Sequence, residues 1–316
     1  LCLVFDKLVE LLIQSRRNLL SDLKQIGFIG LGIMGKPMAK NLIKAGFKLK
    51  VHSRSCGPVK ELVEFGATKA SSPAECATNM DAIITMLPDG PDSELVILGQ
   101  NGVLEGVRED AVVIDMSSIA PGISQKIASS CEDKQVGFLD APVSGGEPGA
   151  IDGALAIMVG GKQAVFDRSN GIFDAVGSSY VLCGDYGAGN TTKLANQIIV
   201  ATNIAAVGEA LVLVKKAGLD PQKVYDAIKG GLAGSNVLNA KGPMMISGNF
   251  MPGFRIKLHH KDIRNSMLTG SELGVSLPLT SLIQQMIVSL VNQGKGELDH
   301  SAIATFAESI NDSKIS

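Results

Sequence analysis

The first half of the chain alternates short apolar runs with stretches of helical periodicity. Segments such as KPMAKNLIKAG, residues 36–46, repeat apolar residues at helical spacing, whereas the runs between them are rich in β-branched residues. Strands that alternate with helices predict a mostly parallel sheet covered on both faces. The predicted strands are residues 26–30, 48–53, 81–87, 111–117, 136–142, 155–161 and 180–182.

The pattern changes after residue 183. The segment GDYGAGN, residues 184–190, ends the strand signals, and nearly everything after it has helical periodicity. Between Tyr186 and Gly208, only Lys193 is charged, which predicts a long apolar helix. The chain is therefore expected to fold as an α/β domain over residues 23–186 and an all-α substrate and oligomerisation domain over 187–316, joined by a long interdomain helix.

Composition narrows the classes of function. The 316 residues are 45% hydrophobic, which suffices for two domains, and the net charge of -2 provides no basic field for nucleic acid or acidic membranes. The apolar segment 198–214 contains Asn203 and Glu209, which favours a buried interdomain helix over a membrane span. Neither the cysteines nor the histidines have metal-ligand spacing. We therefore expect reduced thiols, no metal site and a cytoplasmic protein.

Residues 1–22 precede the first predicted strand. Asp6, Lys7 and Glu10 interrupt their apolar residues, which argues against a signal peptide or a membrane span. A surface helix is one interpretation. The interpretation we favour is that the natural start is Leu23, decoded from a rare initiation codon, and that the preceding residues are a dispensable upstream extension.

A glycine pattern near the start predicts a dinucleotide site of the Rossmann type. In IGFIGLGIMGKPMAKNL, a predicted strand precedes GxGxxG and an amphipathic helix follows it. Gly30 permits the tight turn, Gly32 lets the backbone approach a pyrophosphate, and Gly35 lets the helix pack on the strand. The helix N-terminus then faces the phosphates. The predicted loop comprises Gly30, Leu31, Gly32, Ile33, Met34 and Gly35.

The end of the second predicted strand bears on which dinucleotide binds. An NAD site normally has Asp or Glu there for the ribose hydroxyls, whereas this chain has Ser53 followed by Arg54. A hydroxyl and a guanidinium bind a 2′-phosphate that a carboxylate would repel. The expected cofactor is therefore NADP(H), with NAD(H) as the alternative in which Arg54 only stacks on the adenine.

Ser144, Gly145 and Gly146 follow the strand predicted over residues 136–142. Open α/β sheets bind ligands at the carboxyl ends of their strands, and backbone N–H groups beside a hydroxyl suit a carboxylate. We call these three residues the carboxylate cradle. A plain glycine turn is the alternative.

Lys193 is the candidate catalytic residue. Gly187 and Gly189 bring the chain sharply into the long helix, so the lysine is expected in its first turn. The helix dipole and apolar surroundings there would lower the pKa of Lys193, which suits it to exchange a proton with an alkoxide. Asn196 lies on the same helical face and is expected to hydrogen-bond the substrate. The alternative is a lysine that extends to solvent.

Four ordered motifs together resemble the β-hydroxyacid dehydrogenases over residues 25–310. They are the GxGxxG start, DAPVSGG (140–146), GAGNTTK (187–193) and FRIKLHHKD (254–262). The resemblance implies hydride transfer between NAD(P)H and a small semialdehyde acid, with Lys193 as the general acid and base and the carboxylate cradle holding the substrate. It also implies a homodimer or homotetramer.

The resemblance assigns further residues as well. It places Ser118 beside the nicotinamide and substrate, Met86 and Leu87 along the cofactor, and Lys261 near the cofactor from the helical domain. The family often has Asn four residues after the lysine. This chain has Gln197 there and Asn196 one residue earlier, which leaves the amide contact open between the two.

Several segments are most similar to family members that reduce tartronate semialdehyde (2-hydroxy-3-oxopropionate) to D-glycerate. They include SGGEPGAIDGALAIMVGG and GGLAGSNVLNAKGPM. Those members often have an acidic residue where this chain has Ser53, so their cofactor preference need not apply. The alternative substrates are 3-hydroxyisobutyrate and succinic semialdehyde. An alternative from another class is a dinucleotide-binding sensor without turnover, which would not need Lys193 as a proton donor.

Overall fold

The computed structural model describes residues 23–316, so the predictions for residues 1–22 lie outside it. The chain divides into two compact units, of which the first ends at Lys193 and the second comprises Leu194–Ser316. This division falls inside the long helix, whereas the sequence predicts a second domain that begins at residue 187, just before that helix. The functional limits of the domains stay predictions.

The strands of the first unit form a mixed, mostly parallel sheet. They are β1 (Gln25–Ile29), β2 (Lys48–His52), β3 (Thr68–Lys69), β4 (Ala82–Thr85), β5 (Val112–Asp115), β6 (Gly137–Asp140), β7 (Val143–Ser144), β8 (Leu155–Gly161) and β9 (Gly177–Gly184). Their order is β3-β2-β1-β4-β5-β6-β8-β7, with β9 parallel to β8. The neighbours from β3 to β6 are parallel, whereas β8 runs antiparallel to both β6 and β7.

Helices cover both faces of this sheet because consecutive side chains of a strand point to opposite sides. Ile84 and Ile114 pack into one buried cluster, and their neighbours Ile83 and Val113 pack into another. The helices are α1 (Gly35–Lys44), α2 (Cys56–Glu64), α3 (Pro73–Ala77), α4 (Gly90–Leu98), α5 (Val103–Gly106), α6 (Pro121–Glu132), α7 (Gly146–Asp152) and α8 (Gln163–Val176).

The second unit is helical, with its own buried cluster built around residues such as Ile204, Met245 and Ile287. Helix α9 (Ala188–Lys216) begins in the first unit and continues into the second. It is followed by α10 (Pro221–Ile228), α11 (Asn236–Ser247), α12 (Ile256–Glu272), α13 (Pro278–Asn292) and α14 (Ala304–Ile310), with short 3₁₀ turns at Lys295–Glu297 and His300–Ile303. The predicted fold class, a mostly parallel sheet domain followed by a helical one, is confirmed.

Helix α9 is long and apolar enough, by length and composition, to cross a membrane, and it alone is so among residues 23–316. A core helix of a soluble fold passes the same test, so this observation carries little weight. Asn190, Lys193 and Gln197 are buried polar residues on the same helix. A polar residue inside an apolar segment calls for a local partner or a function.

Candidate active site

The glycine loop closes β1 onto α1 through contacts that only glycine allows. Gly30 has φ +98°, and a Cβ on it would lie 2.2 Å from the carbonyl oxygen of Met86. A Cβ on Gly35 would lie 1.9 Å from the carbonyl oxygen of Gly30. Both positions therefore require glycine for the fold itself, because a side chain would collide with rigid backbone.

Gly32 differs from its two neighbours in the motif. A Cβ there would meet no atom within 4 Å, so the structure itself does not require glycine at this position. Helix α1 starts just beyond it at Gly35, with no side-chain cap from Met34 and no acidic residue in its first turn. Open space beside an uncapped helix N-terminus suits an anion. The loop therefore fits the pyrophosphate of a dinucleotide.

Ser53 and Arg54 follow β2, next to the glycine loop. The guanidinium of Arg54 is 81% exposed, and its Nη1 lies 3.5 Å from Oδ1 of Asp92, in the first turn of α4. Ser53 is half-buried, and its hydroxyl accepts a 3.4 Å hydrogen bond from the amide of Ser55. An exposed pair contributes at most about 1 kcal/mol, so Asp92 offsets the charge of Arg54 only in part.

Met86 and Leu87 leave the carboxyl end of β4 and are both half-buried. The amide of Met86 donates to the carbonyl of Ile29 over 2.9 Å, which joins this segment to the end of β1. The amide of Leu87 donates to the hydroxyl of Ser117 over 2.8 Å. The ends of β1, β4 and β5 are thereby hydrogen-bonded together.

Asp115 supports this arrangement from within the sheet. Its Oδ1 accepts hydrogen bonds from the hydroxyl of Thr85 (2.8 Å) and the amide of Ser117 (3.1 Å). Complete burial raises the pKa of Asp115, against the hydrogen bonds from Ser117 and Thr85, which lower it. Ser118, the next residue along the chain, is half-buried at the same strand end.

The carboxylate cradle connects β7 to α7. Ser144 pairs with Ala156 of β8 and is half-buried, whereas Gly145 is exposed. Gly145 has φ +137° and Gly146 has φ +62°, conformations that other residues rarely adopt. Two successive positive φ values turn the backbone sharply where the strand meets the helix. The binding of a carboxylate at this turn stays a prediction.

The sequence predicts Lys193 in the first turn of its helix, and this prediction is wrong. Helix α9 begins at Ala188, so the lysine is its sixth residue and belongs to the second turn. The field of a helix terminus falls off within the first turn, so the dipole acts on Lys193 less than expected. Lys193 is only 6% exposed, which does not match the alternative of a solvent-facing lysine.

Asp140 fixes the start of α9 to the sheet. Its Oδ1 accepts the amide of Gly187 over 2.8 Å, and its Oδ2 accepts the amide of Asn190 over 2.7 Å. Burial raises the pKa of Asp140 to about 6, although these hydrogen bonds lower it. A Cβ on Gly189 would lie 2.4 Å from the carbonyl oxygen of Asp140, so the helix backbone packs directly against β6.

Asn190 links the same helix to the loop that contains Ser118. Its Oδ1 accepts the amide of Ile119 over 3.0 Å, and its Nδ2 donates to the hydroxyl of Ser124 on α6 over 3.0 Å. The side chain is fully buried. Sequence reasoning did not single out Asp140 or Asn190, although both lie in its motifs. An acidic side chain at a strand end and Asn at a helix entry were the available signals.

The remaining predicted residues lie in the second unit. Asn196 donates through Nδ2 to Oε1 of Gln197 over 2.9 Å, and Gln197 donates through Nε2 to Oδ2 of Asp262 over 2.6 Å. Lys261 is 12% exposed, with its Nζ 3.3 Å from Oδ1 of Asp262. Asn196 and Gln197 therefore belong to one chain of hydrogen bonds, in which Asn196 is half-buried and Gln197 and Asp262 are buried. Their contacts with substrate or cofactor stay predictions.

Within the first unit, the structure gathers the predicted residues at one edge of the sheet. Parallel neighbours end at the same edge, and open sheets bind ligands there. The loop of Gly30, the pair Ser53–Arg54, Met86–Leu87 and Ser118 follow the carboxyl ends of β1, β2, β4 and β5, respectively. Asp140, at the end of β6, joins the start of α9 to this edge.

Comparison with known proteins agrees with this geometry. Residues 25–184 match the model of the NAD binding domain of 6-phosphogluconate dehydrogenase. Residues 187–307 match the model described as the NAD-binding domain of NADP-dependent 3-hydroxyisobutyrate dehydrogenase. Together the two matches cover the α/β domain and most of the helical one.

Individual relatives are similar over nearly their full length. The chain is 42% identical to 2-hydroxy-3-oxopropionate reductase of Escherichia coli, over 92% of this chain and 99% of that protein. It is 36% identical to glyoxylate/succinic semialdehyde reductase 1 of Arabidopsis thaliana, over 88% and 96%. The structure of Mycobacterium tuberculosis 3-hydroxyisobutyrate dehydrogenase with L-serine is similar at a TM-score of 0.83 and 30% identity, over 90% and 98%. The chain therefore belongs to the β-hydroxyacid dehydrogenases, a family of NAD(P)-dependent oxidoreductases.

Proposed function

We propose that this enzyme interconverts a small semialdehyde acid and its hydroxy acid, with Lys193 as the proton donor and acceptor. The observation that carries the proposal is a buried lysine on a helix whose start is hydrogen-bonded to Asp140, at the sheet edge that bears the glycine loop. When bound, NAD(P)H supplies the hydride that adds to the aldehyde carbon.

Lys193 completes the reduction. Addition of hydride to the carbon leaves negative charge on the carbonyl oxygen, and the ammonium of Lys193 gives that oxygen a proton. In the oxidation direction, the neutral amine of Lys193 would take the proton from the substrate hydroxyl, and the oxidised nicotinamide, when bound, would accept the hydride. Burial of the lysine keeps water away from the proton transfer and strengthens its electrostatic effect.

The acid group of the substrate is assigned to the carboxylate cradle, Ser144 with Gly145 and Gly146. The positive φ values of both glycines support this assignment, because a sharp turn of the backbone can direct its N–H groups toward an anion. Ser118 is assigned to the substrate and the nicotinamide together, and Asn196 to a hydrogen bond with the substrate. Met86, Leu87 and Lys261 are assigned to the cofactor, as the family resemblance implies.

Tartronate semialdehyde is the proposed substrate, with D-glycerate as its product. The 42% identity to 2-hydroxy-3-oxopropionate reductase supports this choice over the alternatives. Succinic semialdehyde and 3-hydroxyisobutyrate remain the alternatives. The similarity to glyoxylate/succinic semialdehyde reductase 1 supports the first, and the similarity to 3-hydroxyisobutyrate dehydrogenase supports the second. The sensor alternative is disfavoured because a protein without turnover gains nothing from burying Lys193.

NADP(H) is the proposed cofactor, with NAD(H) as the alternative. Ser53 and Arg54 carry this preference, since a hydroxyl and an exposed guanidinium can move onto a 2′-phosphate. Helix α2 adds to it, because its N-terminus lacks both a side-chain cap and an acidic residue in the first turn.

We also propose that the enzyme acts in the cytoplasm as a homodimer or homotetramer. Large exposed apolar side chains of the second unit, such as Leu213, Leu268 and Leu282, support self-association. Light scattering after size-exclusion chromatography measures the oligomeric state directly.

The test of the proposed function is a turnover assay with both reduced cofactors and a panel of semialdehydes. We expect the highest kcat/KM with tartronate semialdehyde and NADPH, and oxidation of D-glycerate in the reverse direction. A higher kcat/KM for succinic semialdehyde, or for 3-hydroxyisobutyrate in oxidation, would assign the alternative substrate. Cofactor binding without turnover of any substrate would favour the sensor.

A further inference from the structure

Asp140 and Asn190 form a buried hydrogen-bond network around the start of α9, as described above. We infer that these two side chains are positioning residues for the reaction, which hold Lys193 and the loop of Ser118 in their working arrangement. The inference rests on the proposed role of Lys193 and adds to it what fixes the lysine in place.

The carboxylate of Asp140 constrains both the position and the rotation of α9. Its two oxygens accept amides three residues apart, from Gly187 and Asn190, so one rigid group holds two points of the same helix entry. Asp140 is itself fixed, because it pairs with Asp115 on β5 and Gly160 on β8. A Cβ on Gly160 would lie 2.4 Å from Oδ1 of Asp140, so this glycine makes room for the carboxylate.

The side chain of Asn190 extends the constraint to the neighbouring strand end. It accepts from the amide of Ile119, one residue after Ser118, and donates to Ser124 at the start of α6. The helix of Lys193 and the loop of Ser118 are therefore joined by direct hydrogen bonds within the first unit. All the side-chain atoms involved are buried, so water does not compete for them.

Lys193 follows Asn190 by three residues, which is a little less than one helical turn. A slip of the helix by one residue would rotate the lysine by about 100° and move it about 1.5 Å along the axis. Misplacement of a reacting group by about 1 Å can cost about 10²-fold in rate. Loss of the Asp140 constraint is therefore expected to act on turnover rather than on cofactor binding.

The experiment compares Asp140→Asn with the unchanged enzyme. Asparagine keeps the size of the side chain but turns its N–H donor toward one of the two backbone amides. One hydrogen bond is therefore lost, and two N–H donors face each other. We expect kcat to fall by about 10- to 100-fold. The Kd for NADPH, followed by the fluorescence of the bound nicotinamide, should stay unchanged.

A double variant separates positioning from a general structural role. Asp140 holds the start of the helix of Lys193, and Asn190 holds the loop of Ser118. Lys193→Ala with Asp140→Asn should therefore be no less active than Lys193→Ala alone, because the group that Asp140 positions is already missing. The matched control is Asp185→Asn, an exposed carboxylate that accepts the amide of Tyr186 at the same helix entry. It should keep normal turnover.

Asn190→Ala provides a second route if Asp140→Asn does not fold. It keeps the backbone amide that donates to Asp140 and removes only the links to Ile119 and Ser124, so kcat should again fall with NADPH affinity retained. Normal kcat in Asp140→Asn beside an inactive Lys193→Ala would overturn this inference alone, as would a further, multiplicative loss in the double variant. Normal turnover of Lys193→Ala would overturn the proposed function and the inference together.

Discussion

The three glycines of the loop provide a test that separates structural roles from ligand roles. Gly30→Ala would place a methyl group 2.2 Å from the carbonyl oxygen of Met86, in a backbone with φ +98°. Gly32→Ala would place the same methyl group in open space. The two substitutions add identical atoms, so any difference between them comes from the surroundings of each glycine.

The structure sets the expected magnitudes. At Gly30, the positive φ costs about 1–2 kcal/mol and the forced backbone shift about 1–3 kcal/mol, which together lower the free energy of unfolding by about 2–5 kcal/mol. For a domain of this size, that is a fall in Tm of about 4–20 °C. At Gly32, the change in the cofactor-free protein should stay within about 0.5 kcal/mol, since nothing is displaced.

At Gly32, the substitution should lower the affinity for NADPH although it leaves the stability of the protein nearly unchanged. If the pyrophosphate approaches the backbone there, the methyl group of Gly32→Ala occupies its space, and the Kd for NADPH should rise by tenfold or more, about 1.4 kcal/mol. The assay combines thermal unfolding of the cofactor-free protein with a fluorescence titration of NADPH. Unchanged NADPH affinity would refute the assignment of this loop to the pyrophosphate. A large fall in Tm for Gly32→Ala would show instead that the fold itself requires this glycine.

Three further predictions address the cofactor preference and the buried charges. The enzyme should prefer NADPH by about 10- to 150-fold in kcat/KM, and Arg54→Ala should remove most of this preference. Ser53→Asp should favour NADH. An enzyme without substitutions that already prefers NADH would show that Arg54 binds no 2′-phosphate. Because the pKa of Asp140 is raised, its carboxyl stays protonated up to about pH 6 in the folded state but only up to about pH 4 in the unfolded state. The contribution of Asp140 to the free energy of unfolding therefore falls by about 3 kcal/mol as pH rises from 4 to 7. Urea unfolding should show the stability of the unchanged protein relative to Asp140→Asn declining over that range, and a constant or growing difference would contradict the assigned shift. Lys241→Ala should lower the free energy of unfolding by about 3 kcal/mol, because it removes the ammonium that pairs with the buried carboxylate of Asp299 at 3.0 Å. An unchanged urea midpoint would show that His300 and the amide donors to Asp299 suffice.

The sheet was largely predictable because its strands are long enough to carry a pattern. The run 155–161 coincides with β8, in which buried and half-buried residues alternate from Leu155 to Val159. The pattern missed β3 and β7, which have two residues each and no periodicity to detect. The run 180–182 covered only part of β9, most of whose residues are exposed.

The position of Lys193 within its helix was harder to predict than its presence. Glycines at 187 and 189 indicate that the chain turns there, but they do not determine which residue begins the helix. That boundary depends on Asp140, a capping carboxylate 47 residues away from Gly187 in the sequence. Capping signals are recognised from residues next to the helix in the sequence, so a cap that comes from another strand cannot be predicted from them.

In the candidate site, too, features that depend on neighbouring residues in the sequence were predictable, whereas contacts between distant residues were not. The glycine motif was predictable because each glycine answers a local steric requirement. The pairing of Arg54 with Asp92, by contrast, joins the end of β2 to α4 and follows from tertiary packing alone. Sequence reasoning therefore identified the residue types of the site but not the partners that modulate their charge.

The central claim is that Lys193 transfers the proton, and its most direct test is the turnover of Lys193→Ala at saturating NADPH and tartronate semialdehyde. Lys193→Arg serves as the matched variant, because arginine keeps the positive charge but does not readily give up a proton. The account predicts that kcat falls by about 10²–10⁴-fold in both variants, with the Kd for NADPH retained. Near-normal kcat in Lys193→Ala would contradict it.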